Sequence, residues 1–475
     1  MTDSASTPRP RPHEKPHEPG GVSPDQALEG PEDQNRSETS DRAQLVDSSP
    51  PGGTGWIGKL FGSRALALLW FGQVISQVGD EIFRIALIWL AYDLTGSRAL
   101  SGVISSAAFL PMLVFGLLAG VVADRWPRKR TLIASDLIRA GLVCLLPILA
   151  FADALTPVTL VVMTLLVTSV SAFFPPSRDA WIPDLVPPAA LPRANSLIQT
   201  SWQAAILLGP AIAAALLAAL SVSGLFWIDA ATFVLSALLI WRISVPSPAA
   251  RTESSRRVFD PLARPRPSPL VDLWEGLRFV WRTRSIRLLI FVTAANNLFL
   301  MGPALLGIRL FVEDELGQGA EAFAWAQAAL AGGILAGLPL MARYGHRLPL
   351  GTVLAIGLIL DGLTYIPVAL VTSLEWLVGV IFVHSFFIPL ITASRTTLVQ
   401  RLVPPEQRGR VFALVQVCVL GFTSLSLALT GLVTEVISLR TLFVAIGLLS
   451  AATAIPLFLS TARRQMDQPD PKLAP

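Results

Sequence analysis

The chain has 475 residues, of which 52% are hydrophobic and 15% charged, with a formal net charge of +4 and a mean hydropathy of +0.59. A water-soluble chain of this length would form two or more domains, but such hydropathy suits a bilayer as solvent and marks an integral membrane protein. The basic excess is spread over short loops, which makes it a topology signal and excludes a nucleic-acid footprint.

Residues 1–60 are polar and rich in Pro, Ser, Glu and Asp, without the short apolar core of a cleavable signal peptide. They read as a disordered cytoplasmic tail, with the first apolar segment as an uncleaved insertion signal. Gly53 to Leu60, GTGWIGKL, satisfies G-x-G-x-x-G, yet Leu60 stands where a P-loop needs Ser or Thr and no strand precedes it. From there apolar segments of roughly 20 residues, enough to cross a hydrocarbon core, start near residues 66, 99, 131, 155, 195, 223, 286, 321, 350, 374, 410 and 439. The fold class expected is all-α, with twelve transmembrane helices. The spacing predicts a six-helix bundle over 61–243, a cytoplasmic linker over 244–285, a second bundle over 286–462 and a cytoplasmic tail over 463–475.

Positive charge follows the even-numbered spans: Arg125, Arg128, Lys129 and Arg130 after span 2, Arg178 and Arg193 after span 4, and a long arginine run after span 6. The opposite loops hold Arg98 and Arg440, with Arg309 near the end of span 7, among Glu313, Asp314, Glu315, Glu321 and Glu375. By the positive-inside rule both termini are cytoplasmic. Cys144 and Cys418 fall inside spans, so neither a disulfide nor a metal site is implied. No HExxH, nucleophile elbow or appended catalytic domain is visible, and the chain reads as a non-enzyme without cofactor.

Compared with itself, the chain repeats. PSRDAWIPDLVPPAALPRANSL (176–197) lies over ASRTTLVQRLVPPEQRGRVFAL (393–414) at an offset of 217, and ADRWPRK (123–129) over MARYGHR (341–347) at 218. Six spans are therefore duplicated in parallel. In the linker, Leu270, Leu273, Trp274, Leu277 and Trp281 recur at helical spacing near Arg278, Arg282 and Arg284. That pattern predicts a helix on the cytoplasmic membrane surface.

Each ionisable group at membrane depth costs at least about 2.5 to 3.5 kcal/mol unless paired or hydrated. Span 1 nevertheless carries Asp80, Glu81 and Arg84 near its midpoint, after Gln73 and Gln77. Arg84 is within helical reach of both acids but can neutralise only one, so a negative charge remains unless a proton binds. Asp361 in span 9 and Asp229 in span 6 read as structural.

GVVADRWPRKR resembles the loop between helices 2 and 3 of the major facilitator superfamily, with Gly120, Asp124, Arg125, Arg128 and Lys129 in place and Pro127 where Gly is usual. That departure, with GQVISQVGDEIFRIALIWLAYDLTGS (72–97), LFWIDAATF (225–233) and DLWEGLRFVWR (272–282), is similar to the branch of enterobactin exporters and macrolide-efflux pumps. The resemblance implies two rocking bundles, with Asp124 latching onto the N-terminus of span 11 in the outward-open state. Gly209-Pro210 resembles part of the helix 5 motif associated with antiporters, and reads equally as a plain kink. Asn296, Asn297 and His384 fall on helices that line the cavity in the superfamily, and with Gln73 and Gln77 they are the expected substrate contacts. Asp80, Glu81 and Arg84 are the expected proton-coupling set.

The function expected is export of a hydrophobic or amphipathic small molecule, of drug, macrolide or siderophore type, by proton antiport. Import or uniport is the alternative within transport, and a membrane-embedded enzyme or sensor the alternative outside it. The partners expected are substrate, protons and the lipid bilayer, with the chain acting as a monomer in a bacterial inner or cytoplasmic membrane.

Overall fold

A computed structural model of the chain describes residues 63–112, 114–115, 126–187, 190–217, 219–244, 269–344 and 348–468. The tail expected over 1–60 and most of the linker expected over 244–285 lie outside the described residues. The spans run Arg64–Thr95 (span 1), Arg98–Ala107 at the start of span 2, Arg128–Phe151 (span 3), Pro157–Leu185 (span 4), Leu191–Leu217 (span 5) and Val222–Trp241 (span 6). A linker helix, Pro269–Arg282, precedes the second set: Arg284–Glu315, Ala320–Tyr344, Leu350–Leu370, Leu374–Leu402, Pro405–Val433 and Leu439–Leu459, spans 7 to 12.

Among the described residues nine helices are long and apolar enough to cross a membrane, or ten if the bent span 5 counts as one. Spans 1 and 2 complete the twelve in order. Span 1 is long but carries Asp80, Glu81 and Arg84, and only part of span 2 is described.

Helix starts are of two main kinds, hydroxyl caps and prolines; Ser63 caps span 1 by accepting from the Leu66 N–H at 3.0 Å. Ser97, Thr156, Ser221, Ser373 and Ser438 place a side-chain oxygen under the first free N–H groups of spans 2, 4, 6, 10 and 12. At the other end Pro127, Pro349 and Pro404 stand at the starts of spans 3, 9 and 11, where a missing N–H costs nothing. Gly96 and Gly317 end spans 1 and 7 with φ of 58° and 62°, a conformation that favours glycine.

Span 5 bends by 42° between Ile206 and Leu208. Pro210 has no N–H for the carbonyl of Ile206, which is the standard cause of such a kink. Span 7 contains two π-helical turns, Pro303–Gly307 and Phe311–Glu315, separated by one short α stretch.

The apolar core gives the molecule its form. One cluster, with Ile82, Leu87, Trp89 and Phe226 from the first repeat and Leu306, Phe311, Phe323 and Phe443 from the second, joins both bundles at the end where spans 2, 4, 6, 10 and 12 begin. Toward the basic loops it separates into two. Leu66, Leu132, Trp181 and Ile240 pack within the first bundle, and Ile286, Leu354, Leu398 and Val411 within the second. Contacts between the bundles run along spans 2 and 11 and along spans 5 and 8.

Of the tail expected over 463–475, residues up to 468 are described. A helix, Ala462–Met466, closes on the second bundle, where Asp467 accepts hydrogen bonds from the Thr352 backbone N–H and hydroxyl at 2.8 Å each. Ser285 donates to Gln465 at 2.5 Å. Its partners are thus polar groups on spans 7 and 9.

Candidate transport site

Span 1 packs closely on span 6 because glycines face it. A side chain at Gly79 would run into Asp229 and Thr232, and one at Gly72 would come within 3.2 Å of the Ser236 hydroxyl. This approach brings the acids of span 1 beside a buried cation. Arg139 of span 3, only 3% exposed, binds Asp136 one turn earlier at 2.5 Å and Asp80 across the helix interface at 3.3 Å. Its guanidinium lies over the rings of Phe233 and Phe174, with centroids at 4.1 and 5.4 Å. Such faces favour a desolvated cation by about 2 kcal/mol.

The sequence put Asp80 and Glu81 in competition for Arg84, and the structure divides them. Arg84 binds Glu81 alone, at 2.6 Å. Asp80 turns to Arg139, a residue that sequence reading missed. Four carboxyl groups, Asp80, Glu81, Asp136 and Asp229, thus gather with two guanidinium groups in the first bundle. They are not equally accessible. The Asp80 side chain is 38% exposed and that of Asp136 is sealed. Asp229 is fully buried, and its Oδ2 has no hydrogen-bond partner among the described residues. The Thr232 hydroxyl donates to the Asp229 carbonyl at 2.7 Å.

Gly209 of the span 5 kink lies directly against the Glu81 side chain, which a Cβ there would strike. The motif therefore makes room for an acid as well as bending the helix. Arg84 is 33% exposed and stands over the Phe109 ring at 5.6 Å.

The expected substrate contacts fare differently. Gln77 is half-buried. Gln73 is 1% exposed, and its amide finds no hydrogen-bond partner among the described residues. Asn296 and His384 are buried around Asp361. Asn296 donates to Asp361 at 3.3 Å and accepts from Ser450 at 2.9 Å, while His384 Nε2 lies 3.5 Å from Asp361 and its Nδ1 3.1 Å from the Thr364 hydroxyl. Tyr365 packs edge-on to the imidazole at 4.4 Å. Asn297 is likewise buried, donating to the Thr293 carbonyl at 2.8 Å. Asp361 is thus a shared acid that draws polar partners from spans 7 and 10.

In the loop between spans 2 and 3, Gly120, Asp124 and Arg125 lie outside the described residues. Arg128 and Lys129 bind inside their own bundle. Arg128 pairs with Asp184 at 2.7 Å, and Lys129 caps the end of span 6 by donating to the carbonyls of Trp241 and Ile243 at 2.8 and 2.7 Å.

The two bundles are tied at the other end. Arg98 binds Asp314 at 2.6 Å and the Thr434 carbonyl at 2.7 Å, and Glu435 accepts from the Ala99 N–H at 3.1 Å. Arg309, expected near a loop, is fully buried. It pairs with Glu313 and its guanidinium stacks 3.4 Å from the centroid of Trp89 on span 1. Gly102 of span 2 meets Gly431 of span 11 backbone to backbone.

Two six-span repeats, joined at one end and carrying a polar site inside the bundles, define a multi-pass membrane transporter. The model of the Major Facilitator Superfamily matches residues 69–311 and again 288–474, and the chain belongs to that superfamily. It is a transporter and not an enzyme. It is 27% identical over 407 residues to multidrug efflux pump Tap of Mycobacterium tuberculosis, covering 84% of this chain and 94% of that one. With macrolide efflux protein A of Streptococcus pyogenes it shares 26% identity over 407 residues, covering 84% and 96%. Among solved structures it resembles a bacterial homolog of the human lysosomal transporter Spinster, inward-facing and unoccupied. The TM-score is 0.62 at 15% identity, covering 86% of this chain and 97% of that one.

Proposed function

We propose that the chain is a secondary active exporter of hydrophobic or amphipathic small molecules, of the drug, macrolide or siderophore type, working by proton antiport and alternating access. The observation that carries the reading is its likeness, over more than four fifths of its length, to two pumps named for efflux. The core supports the mechanism: a single cluster at one end and two at the other is the packing of a molecule poised to close at the basic end and open at the joined one. With the arginine-rich loops in the cytoplasm, both termini are cytoplasmic and the state described is inward-open.

Asp80 is the acid through which coupling passes, with Glu81 and Arg84 beside it. It is half-exposed and shares Arg139 with a sealed carboxylate. A proton arriving on Asp80 would free Arg139 to bind Asp136 alone, and its departure would restore the bridge between spans 1 and 3. Four acids around two cations leave an excess of negative charge in the first bundle that a bound proton would reduce. In the outward-open state Asp124 would latch the basic end to span 11.

The test is uphill movement in proteoliposomes. Imposing a pH step should drive a macrolide or cationic dye against its own gradient, and collapsing the step with a protonophore should abolish it. Passive equilibration without response to pH would identify a uniporter instead. A cysteine at residue 260 labelled from outside intact cells would overturn the orientation.

A further inference from the structure

The linker helix Pro269–Arg282 is held in one rotational setting by the second bundle. Glu275 pairs with Arg410 of span 11 at 2.7 Å, and Gly276 lies so close that a Cβ would come 3.1 Å from the Arg410 Cβ and 3.4 Å from Leu414. Val280, one turn on, is 5% exposed. The opposite face therefore points away from protein, and it carries Trp274, Arg278, Trp281 and Arg282, with the two indoles 67% and 62% exposed.

Two tryptophans turned outward while a glycine and a valine face the bundle is the reverse of a helix packed for its own core. The helix is separated from span 7 by Thr283 alone, so this face lies level with the basic end of the bundles. Trp126 and Trp241, 63% and 66% exposed, stand at that same end. Exposed indoles collected at one level mark the lipid headgroup region. The charge beside these two is positive: Arg278, Arg282, Arg284 and Arg287 are exposed, and Arg287 donates to the Trp281 carbonyl at 2.9 Å with its guanidinium 6.0 Å from the indole centroid.

We propose that this face is a binding surface for anionic phospholipid headgroups, with Trp274 and Trp281 seated among the acyl-chain ends and Arg278 and Arg282 on the phosphates. The surface is independent of the substrate and of the direction of transport. Because Glu275 and Gly276 fasten the helix to span 11, it anchors the second bundle to the membrane surface.

The full-length protein is reconstituted in equimolar phosphatidylglycerol and phosphatidylcholine, with bromine on the acyl chains of one lipid at a time. Subtracting the Trp274→Phe/Trp281→Phe variant isolates the fluorescence of these two indoles. Brominated phosphatidylglycerol should quench that component more strongly than brominated phosphatidylcholine. Arg278→Gln/Arg282→Gln should cut the preference about thirty-fold, from roughly 1 kcal/mol for each basic residue near an anionic surface, while leaving quenching by phosphatidylcholine. Both arginines are exposed, and the helical circular dichroism of the variant should match wild type. Soluble glycerol phosphate should not compete, which separates a lipid site from a free-phosphate site. Equal quenching by the two lipids, or an excess that survives the arginine substitutions, overturns the proposal. So does quenching by neither lipid, the outcome expected if a protein covers this face.

Discussion

Replacing Gly102 by alanine puts a methyl group where span 11 already stands. Its Cβ would lie 2.6 Å from the Leu427 carbonyl oxygen and 3.0 Å from the Gly431 Cα, and both are backbone atoms that cannot rotate away. Overpacking of this kind costs about 1 to 3 kcal/mol. The penalty falls only on the state in which the bundles meet at this end, so it acts as a differential energy between conformers. The ratio of joined to parted forms should drop roughly fivefold to 150-fold. Spin labels at Leu100 and Val436, in a background with Cys144 and Cys418 replaced by serine, report this separation by double electron–electron resonance. Wild type should show one short distance, and Gly102→Ala a second, longer population. Gly141→Ala is the control, because a Cβ there meets nothing within 4 Å. If Gly102→Ala folds and keeps the wild-type distance, or if Gly141→Ala shifts it equally, the reasoning fails.

Asp136→Asn removes the nearest charge partner of a sealed guanidinium. The loss should be about 3 to 5 kcal/mol, read as a lowered thermal midpoint in detergent, whereas Asp179→Asn, at an exposed pair, should change little. Asp80→Asn should fold and bind substrate yet lose pH-driven accumulation in proteoliposomes; retained uphill transport would move coupling to Asp229, whose Asp229→Asn variant is the next to assay. Asp124→Asn should lengthen the time spent joined at the span 1 and span 7 ends, sharpening the short distance between labels there. Unchanged distances with impaired transport would point to a folding role for that loop.

The repeat, the kink and the site acids were legible for different reasons. LVPP recurring at a fixed offset needs no structure, Pro210 bends any helix, and Asp80 and Glu81 stand out because charge in an apolar span is costly. Asp136 and Arg139 carry the same signal, an i, i+3 pair in span 3, but one acid beside one cation is neutral in itself and stands out less than the net-charged trio of span 1. Their link to Asp80 could not have been read, since it depends on Gly72 and Gly79 letting span 6 close in. The contacts of Asn296 and His384 with Asp361 were not legible, because span membership alone does not say which face of a helix a side chain takes. Arg309 looked like a loop charge by its position, but Trp89, 220 residues away in sequence, supplies the surface that buries it.

The wide turns of span 7 bear on how that arginine could ever leave. A π turn holds one residue more than an α turn, so span 7 stores two residues of slack, one on each side of Ile308, Arg309 and Leu310. Passing the slack from one turn to the other would rotate those three residues by about 100° and advance them by about 1.5 Å, while both ends of the helix stayed in place. Arg309 would swing off Trp89 as a ratchet tooth slips, and the joined end could begin to part before either bundle had moved as a body.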